Sequence, residues 1–207
     1  MLLTLTDLIA KHGLRIHGIL HVGAHQCEEA DKYAQHGIKD VIWVDANPAL
    51  CGPVAGGRFV HHAVVSDVDG VSVDFIVTNN GASSSILELH DHRIMHPDIV
   101  EVQRLPQTTT TLNTLLRGIQ DAPFFNLVNL DIKGAELLAL RGLSDHLPHV
   151  DYIYIEVNIR ELYKGNVLLP DLDAFLGDQG FDRTDISMTS WGWGDALYVR
   201  TRPPPAA

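Results

Sequence analysis

Gly18-Ile19-Leu20-His21-Val22-Gly23-Ala24-His25, followed by Val41-Ile42-Trp43-Val44-Asp45, is the stretch on which the fold is read. The continuous apolar run 18–22 has the length and composition of a strand buried on both faces. Gly23 lets the backbone turn sharply and leaves room for a ligand. A polar helical stretch from Gln26 to His36 stops at Gly37, and a second buried strand, 41–44, ends in Asp45 before Asn47-Pro48 breaks the chain. Strand, turn, helix and strand in this order form a parallel unit.

The alternation continues outward. Thr6 or Asp7 is expected to cap a first helix ending at Gly13. Phe59 to Val65 reads as a strand, with Val71 to Val77 as its hairpin partner across the Asp69-Gly70 turn. Ser83, Ser84 or Ser85 is expected to cap a helix running to about His92. Val100 to Thr109 reads as extended and Thr111 to Arg117 as a short helix. In the second half, strand 127–130 ends in Asp131, and residues 134–143 have helical apolar spacing. Strand 152–155 ends in Glu156, a helix spans 169–179, and strands 181–186 and 196–200 have no helix between them, which predicts an antiparallel pair. The fold class expected is α/β: a Rossmann-like, mainly parallel, doubly wound sheet with an antiparallel last strand, one domain over residues 1–200. Three prolines predict a disordered tail at 201–207.

In such sheets ligands bind beyond the carboxyl ends of the strands. Four ends should share one rim: the Gly23 turn, Asp45, Asp131 and Glu156. An acid about 20 residues beyond the first turn accepts hydrogen bonds from ribose hydroxyls in Rossmann-like folds, which points to an adenosine-type ligand. The first turn has one glycine rather than GxGxxG, so a ligand without phosphates is favoured over a dinucleotide. The bland alternative is an ordinary turn with a solvated Asp45.

The net charge of −11 argues against a nucleic-acid backbone or an anionic membrane as partner. Two cysteines, Cys27 and Cys51, without CxxC spacing point to a reducing compartment, and the N-terminal stretch does not read as a signal peptide. A cytoplasmic location is expected.

His21-Val22-Gly23-Ala24-His25, Val44-Asp45-Ala46-Asn47-Pro48, the run from Ala63 to Gly70, Ser84-Ser85-Ile86-Leu87, Asp131-Ile132-Lys133-Gly134-Ala135-Glu136 and Ile155-Glu156-Val157-Asn158 come in the order seen in FkbM-type methyltransferases, which the chain resembles over roughly residues 18–200. The resemblance implies the class I methyltransferase fold, S-adenosylmethionine as cofactor, and O-methylation of a small-molecule or glycan hydroxyl. It implies that His21, Gly23, Ala24 and His25 hold the methionine part, that Asp45, Ala46 and Asn47 hold the ribose, and that Ser66 and Asp67 border the adenine. Asp131 and Glu136 then lie near the reaction centre. His21, His25 and Cys27 replace the usual Asp, Asn and Gly. Lys133 replaces an acid, which would favour an anionic acceptor.

A methyl transfer to an alcohol needs a base, for which Asp131 is the first candidate, Glu156 the second and Glu136 a further one. Asp131 could equally serve as a helix-capping carboxylate. His90, His92 and His96 lack regular zinc spacing and read as part of a polar lid. Asp131, Glu156 and Asn158 could imitate a Mg²⁺ site, but no metal is expected. Trp191 and Trp193 either line an acceptor pocket or pack on the last helix. The rivals are a non-catalytic nucleoside-binding module and an NAD-dependent oxidoreductase.

Overall fold

The computed structural model describes residues 2–203. In chain order the elements are α1 (Leu5–His12), β1 (Ile19–Val22), α2 (Ala30–Gln35), β2 (Val41–Asp45), β3 (Gly52–Val54), β4 (Arg58–His62), β5 (Val64–Val65), β6 (Ser72–Thr78), α3 (His92–Met95), β7 (Glu101–Thr110), α4 (Leu112–Gly118), β8 (Leu127–Leu130), α5 (Glu136–Arg141), β9 (Tyr152–Asn158), α6 (Leu169–Asp178), β10 (Phe181–Met188) and β11 (Trp193–Arg200).

Eight strands form one sheet in the order β10-β11-β9-β8-β1-β2-β4-β3. The five central strands β9, β8, β1, β2 and β4 run parallel. β11 enters antiparallel between β9 and β10, as the missing connecting helix predicted. Strand order reverses at β1, whose neighbours are β2 and β8, so the carboxyl end of β1 is the natural ligand crevice. Successive side chains alternate between two apolar layers. Leu20 and Val22 of β1 pack with Leu112, Leu116, Ala139, Leu140, Leu172 and Leu176 from α4, α5 and α6. Ile19 packs on the opposite face with Leu5, Leu8, Ala30 and Tyr33 from α1 and α2.

Several expectations change. Thr4, not Thr6 or Asp7, caps α1, because its hydroxyl accepts the Asp7 N–H while bonding the Asp7 carboxylate. α2 begins only at Ala30, since His25 and Cys27 adopt left-handed conformations (φ 44° and 58°) that no helix accommodates. The run 59–65 is two strands: at Ala63 the chain leaves the main sheet, and β5 joins a three-stranded sheet ordered β5-β7-β6. The Asp69-Gly70 turn is therefore not a hairpin. β6 pairs antiparallel with the longer β7, while the edge of β4 is taken by β3. The Asp69 carboxylate instead accepts from the Thr111 N–H and the Thr114 hydroxyl, at the start of α4. The expected helix from Ser83 to His92 is a series of turns with only the short α3 at its end. The serine hydroxyls bind nearby backbone instead of a helix N-terminus: Ser84 accepts the Thr78 N–H, and Ser85 accepts the Leu87 N–H. Of the expected tail, Thr201 and Arg202 bond to the Gly180 carbonyl, and residues 204–207 lie outside the described residues.

Candidate functional site

A cavity of about 300 Å³ opens at the carboxyl ends of β1, β2 and β8. Asp45, at the end of β2, is almost wholly buried; one carboxylate oxygen accepts the His25 N–H at 2.7 Å and the other the Asn47 N–H at 2.7 Å. Each oxygen keeps further acceptor capacity, and Asp45 borders the cavity. Ala46 and Asn47 border the same space, and Asn47 also caps the following 3₁₀ turn by accepting the Ala49 N–H. Ala63, Val64, Val65 and Phe75 make an apolar wall beside Asp45. Ser66 and Asp67 are not among the lining residues: the Ser66 carbonyl faces α5, lying where a Cβ on Gly142 would clash, and its hydroxyl bonds Asp67.

Gly23 has φ +89°, and a Cβ added there would meet the Asp131 carbonyl oxygen at 2.2 Å. The glycine is thus needed for the close approach of the β1 and β8 ends as well as for the turn. Ala24 is buried with α2 and does not line the cavity. His21 borders the cavity floor, but its ring packs against Trp43 (centroids 4.8 Å apart) and its Nδ1 lies 2.9 Å from the Tyr33 hydroxyl. Burial lowers its pKa to about 4, so the imidazole that replaces the usual Asp is neutral. The His25 ring borders the cavity, with Nδ1 2.5 Å from Glu28 Oε1.

The three acids proposed as base separate sharply. Asp131 lines the cavity and is ion-paired with the Lys133 ammonium, which also contacts Glu156 Oε2 at 2.7 Å. Burial alone would raise the Asp131 pKa; the adjacent ammonium overrides it and holds the carboxyl below its ordinary value. Glu156 does not line the cavity, and burial pushes it up to about 8. Glu136 is fully buried beneath the loop after β8, where one oxygen accepts the N–H groups of Ile132 and Gly134 at 3.1 Å each and the other has no partner. It is a brace for that loop, away from the cavity. Lys133, read as a charge for an anionic acceptor, is instead spent on Asp131 and Glu156. The same ammonium occupies the space between the two acids of the imagined Mg²⁺ site. Among the described residues no group of three His, Cys, Asp or Glu side chains is placed to hold a metal.

Sequence reasoning missed the loop 81–86, which covers the cavity. Ser85 donates to the Lys133 carbonyl at 2.9 Å, and Gly81 lies against the His25 ring. The motif Ser84-Ser85-Ile86-Leu87 was the available signal. His92, whose Nδ1 is buried without a partner, packs on Tyr163 in a small satellite cluster. Trp193 packs against that cluster too, whereas Trp191 is half exposed.

Burial pushes the Glu136 carboxyl up to about 7. An ordinary Glu titrates at about 4.3, so the native state binds more protons between these values and stability falls as pH rises through them. Glu136→Gln removes that ionisation. The stability of the variant relative to wild type is expected to improve by about 1 kcal/mol or more between pH 5 and pH 8, roughly 2–4 °C in Tm. Equal shifts of the two proteins across thermal melts at both pH values would contradict a buried titrating Glu136.

The sheet order, the antiparallel β11 and the crevice at the β1 reversal define a Rossmann-like class I methyltransferase fold. The Methyltransferase FkbM domain matches residues 21–183, and the chain belongs to that family. No curated protein matches the chain. Among solved structures it is similar to the magnesium protoporphyrin IX methyltransferase of Synechocystis with bound SAM, at 14% identity over 95% of this chain and 76% of that one, TM-score 0.49. It is also similar to a TehB-like SAM-dependent methyltransferase of Corynebacterium glutamicum, at 14% identity over 94% and 86% of the two chains, TM-score 0.45. Among the described residues no helix is long and apolar enough to cross a membrane.

Proposed function

We propose that this methyltransferase uses S-adenosylmethionine and methylates a hydroxyl on a small molecule or glycan. The observation that carries the cofactor is Asp45: a buried carboxylate with acceptor capacity left over, next to an apolar slot formed by Ala63, Val64, Val65 and Phe75. That pairing suits a ribose diol joined to a flat base. The cavity lining also carries the acids Glu28, Glu29 and Asp131, which suits a cationic centre. When bound, the cofactor supplies a methyl group already activated by its sulfonium. The chain's own residues then have three tasks. Asp45, Ala46 and Asn47 fix the nucleoside, the loop 81–86 restricts water, and Asp131 accepts the proton of the acceptor hydroxyl. Asp131 is preferred because it alone of the three acids borders the cavity. Glu156 and Glu136 act in this reading as its electrostatic and structural support. The two free thiols, Cys27 and Cys51, are consistent with a cytoplasmic protein.

Calorimetric titration with S-adenosylhomocysteine and, separately, NAD tests the cofactor. Binding of the first and not the second is expected, and the reverse would make the chain a nucleotide-dependent oxidoreductase. Asp45→Ala removes a charged acceptor, worth about 1.5–3 kcal/mol. S-adenosylhomocysteine should then bind roughly 10- to 150-fold more weakly. An unchanged dissociation constant removes the ribose assignment.

A further inference from the structure

The small sheet β5-β7-β6 meets the cavity with one face. In the β6–β7 ladder Phe75 pairs with Leu105 and Val73 with Gln107. Opposed residues share a face, and so do residues two apart, so Phe75 and Gln107 point to the same side. Phe75 makes part of the apolar cavity wall. Gln107 is half-buried, and its Nε2 donates to the Ala46 carbonyl at 3.3 Å. Among the described residues this is the one hydrogen bond from β6 or β7 to the loop 45–51. The same carbonyl lies 3.2 Å from His62 Nε2, at the end of β4.

That carbonyl belongs to the Ala46–Asn47 peptide. The unit is planar, so holding its oxygen sets the direction of its N–H. Its N–H is the Asn47 donor that meets Asp45 Oδ1 at 2.7 Å. Gln107 therefore reaches the Asp45 carboxylate through one rigid plane, while it does not itself line the cavity.

Resting on the reading of an S-adenosylmethionine cofactor, we propose that Gln107 is a positioning residue for the cofactor's nucleoside. It ties the sheet that walls the base to the loop that holds the ribose, and it orients the Asp45 carboxylate toward the ribose hydroxyls. The two halves of the grip thereby keep a fixed separation, although they lie in different sheets.

Calorimetric titration with S-adenosylhomocysteine tests this on wild type, Gln107→Met, Gln107→Lys, Asp45→Ala and Asp45→Ala combined with Gln107→Met. Methionine keeps the length of the side chain and removes the donor, so binding should weaken roughly 3- to 10-fold, the equivalent of one neutral hydrogen bond. Lysine restores a donor on a stem long enough to reach the Ala46 carbonyl, and should recover most of the affinity. With Asp45 already replaced, Gln107→Met should weaken binding little further, because the carboxylate it orients is gone. A role confined to packing of the small sheet would instead give the same loss in both backgrounds. No loss in Gln107→Met, no recovery in Gln107→Lys, or an equal loss with and without Asp45 overturns the Gln107 assignment and leaves the cofactor reading standing. Failure of wild type to bind S-adenosylhomocysteine overturns both.

Discussion

Asp131→Asn is expected to lower kcat by about 100-fold or more, the usual range for loss of a positioned base, while S-adenosylhomocysteine affinity stays within a few-fold of wild type. The split follows from position. Asp131 borders the cavity beyond β8, across from Asp45, so the contacts that hold the nucleoside remain. The variant keeps nearly the same shape and can still accept from Lys133 through its amide oxygen, so the loop after β8 has no new void to fill. What is lost is the negative charge at the one base candidate that borders the cavity. Lys133 holds Asp131 ionised across the neutral range, which guarantees the acceptor form at some cost in basicity. Turnover is measured with any acceptor that wild type methylates, alongside the binding constant. Full activity would exclude Asp131 as the base. A parallel loss of S-adenosylhomocysteine affinity would show that Asp131 holds the cofactor rather than moves a proton.

The central sheet was legible because β1, β2, β8 and β9 are buried on both faces and so carry uninterrupted apolar runs. Asp45 was legible for a related reason: an acid at the end of such a run has few structural uses. The middle of the chain was not. Residues 58–110 change sheets at Ala63, and that change depends on which strand edge is free, a non-local fact absent from local alternation. The serines at 83–85 carry the same signal whether they cap a helix or fasten a turn, and only the backbone groups around them decide. The acids were recognised as a set, yet their ranking could not be read. Asp131, Glu136 and Glu156 look alike as letters, and they differ by their hydrogen-bond partners. One binds an ammonium at the cavity wall, one two backbone N–H groups under a loop, and one shares the ammonium from below. Lys133 was noticed as a departure from the family pattern, but its meaning is set by the Glu156 carboxylate 2.7 Å away on a neighbouring strand.

That lysine yields the largest expected change in stability. Its side chain is 19% exposed and sits between two acids, so Lys133→Met leaves the buried Glu156 and the partly buried Asp131 with no counter-charge. Removing one member of a buried ion pair costs about 3–5 kcal/mol, because the remaining charge stays desolvated. For a chain of this size that corresponds to a fall of roughly 6–20 °C in Tm. Methionine matches the length of the lysine stem and tolerates φ +57° no worse, which keeps packing and backbone strain from confusing the result. The sign of the pH dependence is fixed by the acids that remain. Without the ammonium both carboxyls shift upward, the native state takes up protons that the unfolded chain does not hold at neutrality, and the variant loses more stability at pH 8 than at pH 5. Thermal melts at the two pH values measure this directly. Adding Asp131→Asn and Glu156→Gln to Lys133→Met discharges the acids and should recover most of the lost stability and flatten the pH dependence. A Lys133→Met protein as stable as wild type at pH 8 would mean that the ammonium and the two carboxylates are solvated, and the acid-rich wall assigned to the sulfonium would lose its basis.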